Sequence, residues 1–251
     1  MIALITGATS GIGQATAIKL AAIGYDIIIT GRRKERLEEL SEKLISEKNT
    51  RVHALFFDIR DREATRQAVE SLPTGWKDID VLVNNAGLAS GLDHFHEGNI
   101  DDWEAMIDTN LKGLLYITRF IAPGMTRRKK GHIINIGSIA GKETYEKGNV
   151  YCATKHGVEA LTKGMRIDLL KHNIKVSSVC PGAVDTEFSR VRFHGDDKKA
   201  KEVYKGYTPL YAEDIAEAIV FAVTRPAHVN INDLLIMPTA QANTSHIDKK
   251  E

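Results

Sequence analysis

Residues 2–13 read "IALITGATSGIG": a short apolar run reaches three glycines, Gly7, Gly11 and Gly13, and passes into the helix-like stretch "QATAIKLAA". An apolar run of this length that breaks at glycine fits a buried strand, and the residues after Gly13 fit a helix. Glycines between strand and helix let the backbone turn tightly and approach an anion. The free N–H groups and dipole at the helix N-terminus then favour its negative charge. Gly7, Thr9, Ser10, Gly11, Ile12 and Gly13 are therefore candidates for holding a pyrophosphate. The spacing is Gly-x-x-x-Gly-x-Gly rather than the usual Gly-x-Gly-x-x-Gly. On its own the turn also reads as a tight corner.

The same strand-then-helix unit recurs along the chain. "IALIT", "DIIIT", "VHALFF", "DVLVNN", "HIINIGS", "KVSSVCPG" and "DLLIMP" are short β-branched runs, separated by stretches long enough for helices at about residues 12–23, 34–48, 62–71, 101–129, 150–172 and 212–224. Nearly continuous apolar strands alternating with helices predict an α/β architecture: a Rossmann-type, doubly wound parallel sheet covered on both faces. The length of 251 residues suits a single domain, and no stretch resembles an interdomain linker. One irregular segment, residues 185–210, is charged and glycine-interrupted, and an insertion after a late strand is expected to cover a site. The polar tail after Pro238 is expected to be loosely held.

Thirty-four Lys and Arg against 33 Asp and Glu leave a formal charge of +1, so no global field suits nucleic acid or an anionic membrane. No apolar run approaches the roughly 18 residues of a membrane span. The N-terminal residues run straight into a strand without a leader, and a soluble, cytoplasmic protein is expected. Cys152 and Cys180 are too few for a disulfide framework and read as small buried residues. His94 and His96 flank Phe95 without a third ligand in evidence, so they read as surface residues and no metal is expected.

The second strand sharpens the anion reading. An Asp or Glu at its end, some 20 residues beyond the glycines, usually holds a free ribose 2′-hydroxyl. Here Gly31 is followed by Arg32 and Arg33. Two guanidiniums suit a 2′-phosphate, which they meet with bidentate, charge-assisted hydrogen bonds. They also oppose the dipole of the helix they precede, which an anion to bind would explain better than a solvated surface. NADP rather than NAD is the expected cofactor.

Tyr151 and Lys155 lie four apart in "GNVYCATKHGVEALTKGM", so a helix would present them on one face. Taken with "TGATSGIG", "NNAG" at 84–87, Ser138 thirteen residues before Tyr151 and "CPGAVDT" at 180–186, the chain resembles the classical short-chain dehydrogenases/reductases along almost its whole length. The resemblance implies a catalytic tetrad. Tyr151 would exchange the hydroxyl proton as general base or acid, Lys155 would favour its phenolate and bond the nicotinamide ribose, and Ser138 would hold the substrate oxygen. Asn110 would interrupt its helix and hold a water linked to Lys155. It further implies cofactor contacts at Asp58 and Ile59, at Asn84, Ala86 and Gly87, and at Pro181, Gly182, Val184 and Thr186. Each also fits a helix cap or plain turn. One departure stands out: the family's usual Ser-Ser is here Gly137-Ser138.

Within that family the chain is most similar to NADP-dependent 3-hydroxy acid dehydrogenases, through "NNAGLASG", "DWEAMIDTN", "IINIGSIAG", "TEFSRVRFHGDDKKA" and "PAHVNINDLLIMPT". The resemblance implies small hydroxy acid substrates (L-serine, L-allo-threonine, 3-hydroxypropionate, 3-hydroxyisobutyrate) or the matching semialdehydes, and a homotetramer. A substrate carboxylate needs a cation, for which Arg192 is the first candidate and Arg190 the second. The basic run "RRKK" at 127–130 could complement a helix C-terminus or dock an acyl carrier protein, which would make the enzyme a 3-oxoacyl reductase. A general carbonyl reductase and a non-catalytic NADP-binding sensor would fit the same motifs.

Overall fold

The computed structural model describes residues 1–250. In chain order it forms β1 (Ile2–Ile5), α1 (Gly11–Ala22), β2 (Asp26–Gly31), α2 (Lys34–Lys48), β3 (Val52–Phe56), α3 (Arg62–Glu70), β4 (Ile79–Asn84), α4 (Ile100–Ile107), α5 (Leu114–Arg128), β5 (Gly131–Ile136) and α6 (Asn149–Asp168). There follow β6 (Ile174–Pro181), β7 (Val184–Asp185), α7 (Glu187–Arg192), α8 (Asp197–Glu202), β8 (Leu210–Tyr211), α9 (Ala212–Val223) and β9 (Asp233–Ile236). All seven expected strands pair in parallel, in the order β3-β2-β1-β4-β5-β6-β9.

Alternation along each strand divides the interior in two. Ala3, Ile5, Ile27 and Ile29 face α1, α2 and α9, whereas Ile2, Leu4 and Ile28 face the opposite layer with Ile117, Ile121 and Met125 of α5. In α2 the buried residues are Leu37, Leu40 and Leu44, the i, i+3, i+7 stripe that fixes its inward face. Strand order reverses at β1, which has β2 on one side and β4 on the other. A crevice opens at such a switch point, beyond the carboxyl ends of the strands.

The segment 185–210 is more ordered than its composition suggests. It contains α7 and α8 and is tied at both ends by the two-residue parallel pair β7–β8. The expectation of a loose tail is corrected. Gln241 is buried, its Oε1 accepts from Ala183 N at 2.9 Å, Asp248 N donates to Ala240 O and Lys250 N to Gly206 O. Polarity misled here because the tail's polar groups bond the chain's own backbone instead of water. Gln241→Ala should lower folding stability by about 1–3 kcal/mol, the cost of leaving a buried N–H unpaired. A denaturant midpoint equal to that of the parent would refute that role. No helix among the described residues is long and apolar enough to cross a membrane.

Candidate active site

The crevice has a volume of about 360 Å³, within the roughly 300–1,000 Å³ of small-molecule sites. Its floor is the first turn. Gly7 (φ +66°) and Gly11 (φ +53°) adopt the left-handed backbone that glycine tolerates. A Cβ on Gly13 would come within 2.5 Å of Gly7 O, so that glycine serves close packing of α1 and does not line the crevice. Thr9, Ser10, Gly11 and Ile12 line it. Asn85, which sequence reasoning passes over inside "NNAG", donates through Nδ2 to Thr6 O and Gly7 O at 2.9 and 3.1 Å and so holds the turn.

At the adenosine end β2 stops at Gly31, where a Cβ would lie 2.7 Å from Thr9 Cγ2; any side chain at this strand end would displace Thr9. Arg32 and Arg33 both line the crevice. Arg33 is held firmly: Nε donates to Thr9 Oγ1, Nη2 to Ser10 Oγ at 2.8 Å, and Nη1 to Glu187 Oε2 at 2.7 Å. Glu187 also accepts from Arg36 at 2.6 Å. Partial burial works against that carboxylate, but Arg33 and Arg36 hold its pKa down at about 2. The sequence gives no sign of Glu187 or Arg36 at this site, since only folding brings α7 over α2. Arg32 is looser, with Nη1 3.6 Å from Asp58 Oδ2. Asp58 and Ile59 line the crevice, and the Arg60 guanidinium outweighs burial to hold the Asp58 carboxyl below its usual range.

Of the "NNAG" residues, Asn85, Ala86 and Gly87 line the crevice, but Asn84 does not. Its side chain turns into the sheet layer and donates to Thr118 Oγ1 and Asn135 Oδ1, both at 2.8 Å. Alternation explains this: as the last residue of β4 it points toward α5, leaving the crevice to the residues after it.

At the other end, Ser138, Tyr151 and Lys155 converge with Pro181, Gly182, Val184 and Thr186. Tyr151 and Lys155 are one turn apart on α6, and Lys155 Nζ lies 6.0 Å from the centre of the Tyr151 ring. Lys155 Nζ donates to Ile136 O at 2.8 Å. Burial lowers the Lys155 pKa to about 8 and pushes the Tyr151 phenol well above its ordinary value, while the Ser138 hydroxyl beside it pulls the other way.

Asn110 does interrupt its helix. Between α4 and α5, Asp108–Gly113 form a π-turn. Such a turn, one residue wider than an α-turn, frees the Asn110 amide to face a neighbouring loop. Its Oδ1 accepts from Leu88 N at 2.8 Å, and its Nδ2 donates to Leu88 O and Thr154 Oγ1. A Cβ on Gly87 would sit 3.2 Å from Asn110 Oδ1 and 3.8 Å from Lys155 Nζ, so both flank that glycine.

The two arginine candidates separate. Neither lines the crevice itself: Arg190 pairs with Asp197 at 3.0 Å beside a separate surface pocket, while Arg192 borders a small pocket behind Tyr151. A two-residue stagger on a short helix puts Arg190 on a different face from Arg192. Arg192 stacks 5.5 and 5.7 Å from the Tyr145 and Tyr151 ring centres and donates to Gly91 O. In the basic run, Arg128 and Lys130 face Asp80 at 3.6 and 2.9 Å, an intramolecular role for half of it. His94 and His96 stack on each other, each near a glutamate.

Known proteins resemble the chain over almost its whole length. Residues 1–197 match the family model described as short chain dehydrogenase. The chain is 49% identical over 243 residues to the NADP-dependent 3-hydroxy acid dehydrogenase YdfG of Salmonella typhi, covering 96% of both. It is 45% identical to the NADP-dependent 3-hydroxy acid dehydrogenase of Schizosaccharomyces pombe, over 99% of this chain and 96% of that one. A structure described as the closed form of serine dehydrogenase complexed with NADP+ superposes with a TM-score of 0.93 at 46% identity, over the whole of both chains. The chain belongs to the short-chain dehydrogenase family.

Proposed function

We propose that this oxidoreductase transfers hydride between NADP and the hydroxyl-bearing carbon of small 3-hydroxy acids or the matching carbonyl compounds. The observation that carries the reading is the meeting of Ser138, Tyr151 and Lys155 at one end of a crevice whose other end bears Arg32 and Arg33. The residues fit the dinucleotide: a glycine cradle at a helix N-terminus suits the pyrophosphate, and the arginine pair beside a strand end with no acidic side chain suits the 2′-phosphate.

When bound, the nicotinamide supplies the acceptor or donor of the hydride. Tyr151 Oη takes the hydroxyl proton on oxidation and returns it on reduction. Its buried phenol is a poor base alone, so the ammonium of Lys155 one turn away must stabilise the phenolate. Ser138, itself fixed by accepting from Ala140 N at 3.1 Å, orients the substrate oxygen. Asn110 braces the loop at Leu88, and its Oδ1 and Lys155 Nζ both flank Gly87; in our reading a water between them completes a path for the proton. Thr186, Phe188 and Val191, from the 185–210 segment, wall the crevice. We further propose that the protein works as a homotetramer; exposed Leu115, Ile167 and Leu170 support an association through α5 and the end of α6.

Arg192, whose guanidinium lies 5.7 Å from the Tyr151 ring centre, is the cation we assign to the substrate carboxylate. Arg192→Ala should raise KM for hydroxy acids about tenfold or more, the value of a lost charge-assisted hydrogen bond, and spare neutral alcohols. Steady-state kinetics with 3-hydroxypropionate against a neutral secondary alcohol tests it; equal losses on both would remove Arg192 from this role.

A further inference from the structure

Behind the catalytic residues lies a partly buried charged cluster that takes no part in the proton transfer itself. Glu159, on α6 one turn beyond Lys155, is 5% exposed. Its Oε2 accepts from Lys142 Nζ at 2.7 Å, and its Oε1 accepts from the Ser178 hydroxyl and from Cys180 Sγ, the latter at 3.2 Å. Lys142 also bonds Asp233 of β9. Two carboxylates against one ammonium leave the cluster one net negative charge.

The cluster reaches the active site through Gly137. A Cβ there would lie 2.7 Å from both Glu159 Oε1 and Cys180 Sγ. The departure from Ser-Ser to Gly137-Ser138 thus makes room for a carboxylate. Gly137 stands between Ile136, whose carbonyl holds Lys155, and Ser138. We infer that Glu159 is a positioning residue for the catalytic lysine: its buried carboxylate, beneath the Ile136–Ser138 strand end, keeps Lys155 in the ammonium form to higher pH.

The sign follows from charge. Burial drives Lys155 toward neutrality, and a neighbouring negative charge opposes that. Cys180 supplies none at working pH, because burial pushes its thiol up to about 12. Glu159 therefore acts from the adjacent turn, screened in part by Lys142, whose own charge Asp233 offsets. Tyr151 lies a further turn away and feels it less. Removing the charge should lower the pH at which Lys155 loses its proton, with a smaller effect on the phenol.

The inference rests on the Tyr151–Lys155 mechanism, and one experiment separates the two. The pH dependence of kcat for NADP-linked 3-hydroxypropionate oxidation is measured between pH 6 and 11 for the parent, Glu159→Gln and Asp233→Asn. In Glu159→Gln the alkaline limb, where Lys155 loses its proton, should appear about one pH unit lower. In Asp233→Asn, a half-exposed position that leaves the cluster neutral, the shift should have the same direction and be smaller. Limbs unmoved in a folded Glu159→Gln, or in Asp233→Asn should the former not fold, would overturn the inference while leaving the mechanism intact. A parent without turnover would instead overturn the proposed function.

Discussion

Tyr151→Phe should lower turnover by about 10²–10⁴-fold, the range that a positioned proton donor or acceptor contributes, with little change in fold or in NADPH binding. The ring packs against Phe188 with centres 5.8 Å apart and lies under Arg192, and Phe preserves both contacts. Only the oxygen is lost. The substrate hydroxyl then keeps Ser138 to orient it but loses the group that exchanges its proton. Stopped absorbance of NADPH with semialdehyde, beside a fluorescence titration of NADPH alone, separates chemistry from binding. Turnover within a few-fold of the parent would refute the assignment of Tyr151.

The second large effect concerns the cofactor. Arg33→Ala should raise KM for NADP by about one to two powers of ten, since hydrogen bonds to charged groups are worth ~1.5–3 kcal/mol each. KM for NAD should change far less. Glu187 sets the scale: Arg33 already satisfies a carboxylate before any ligand arrives. The phosphate therefore joins or replaces an existing ion pair, which moderates the gain. Calorimetric titration with 2′,5′-ADP isolates this end of the crevice from catalysis. Equal weakening of NADP and NAD would show that Arg33 serves the fold of the Thr9–Ser10 turn and not the phosphate.

Much of this molecule is legible in its sequence because buried parallel strands and amphipathic helices write simple periodicities. All seven sheet strands read as β-branched runs, and α2 occupies the 34–48 that its pattern predicts. The site is legible where a motif carries local backbone geometry, as at Gly7, Gly11 and the Tyr151–Lys155 turn. It is illegible where a side chain's direction depends on strand parity or on contacts distant in sequence. Asn84 belongs to a turn motif yet points into the core, and Arg190 and Arg192 differ only by their place on a six-residue helix. Glu187 meets Arg33 across 154 residues, and the tail folds back on Ala183 through one amide. No local pattern encodes such pairings.

The π-turn at Asp108–Gly113 has a consequence for which kinds of change the chain tolerates. A wider turn is in effect one residue inserted into an otherwise regular helix, so its simplest repair is a deletion rather than a substitution. Deleting one residue there would give α4 and α5 an unbroken hydrogen-bond ladder and swing every side chain beyond it by about 100°, one residue's rotation at 3.6 per turn. Asn110 would no longer meet Leu88. Such a chain would gain a straighter helix and lose the proton path proposed through Asn110, so on that reading the length of this segment matters to the chemistry as much as its letters.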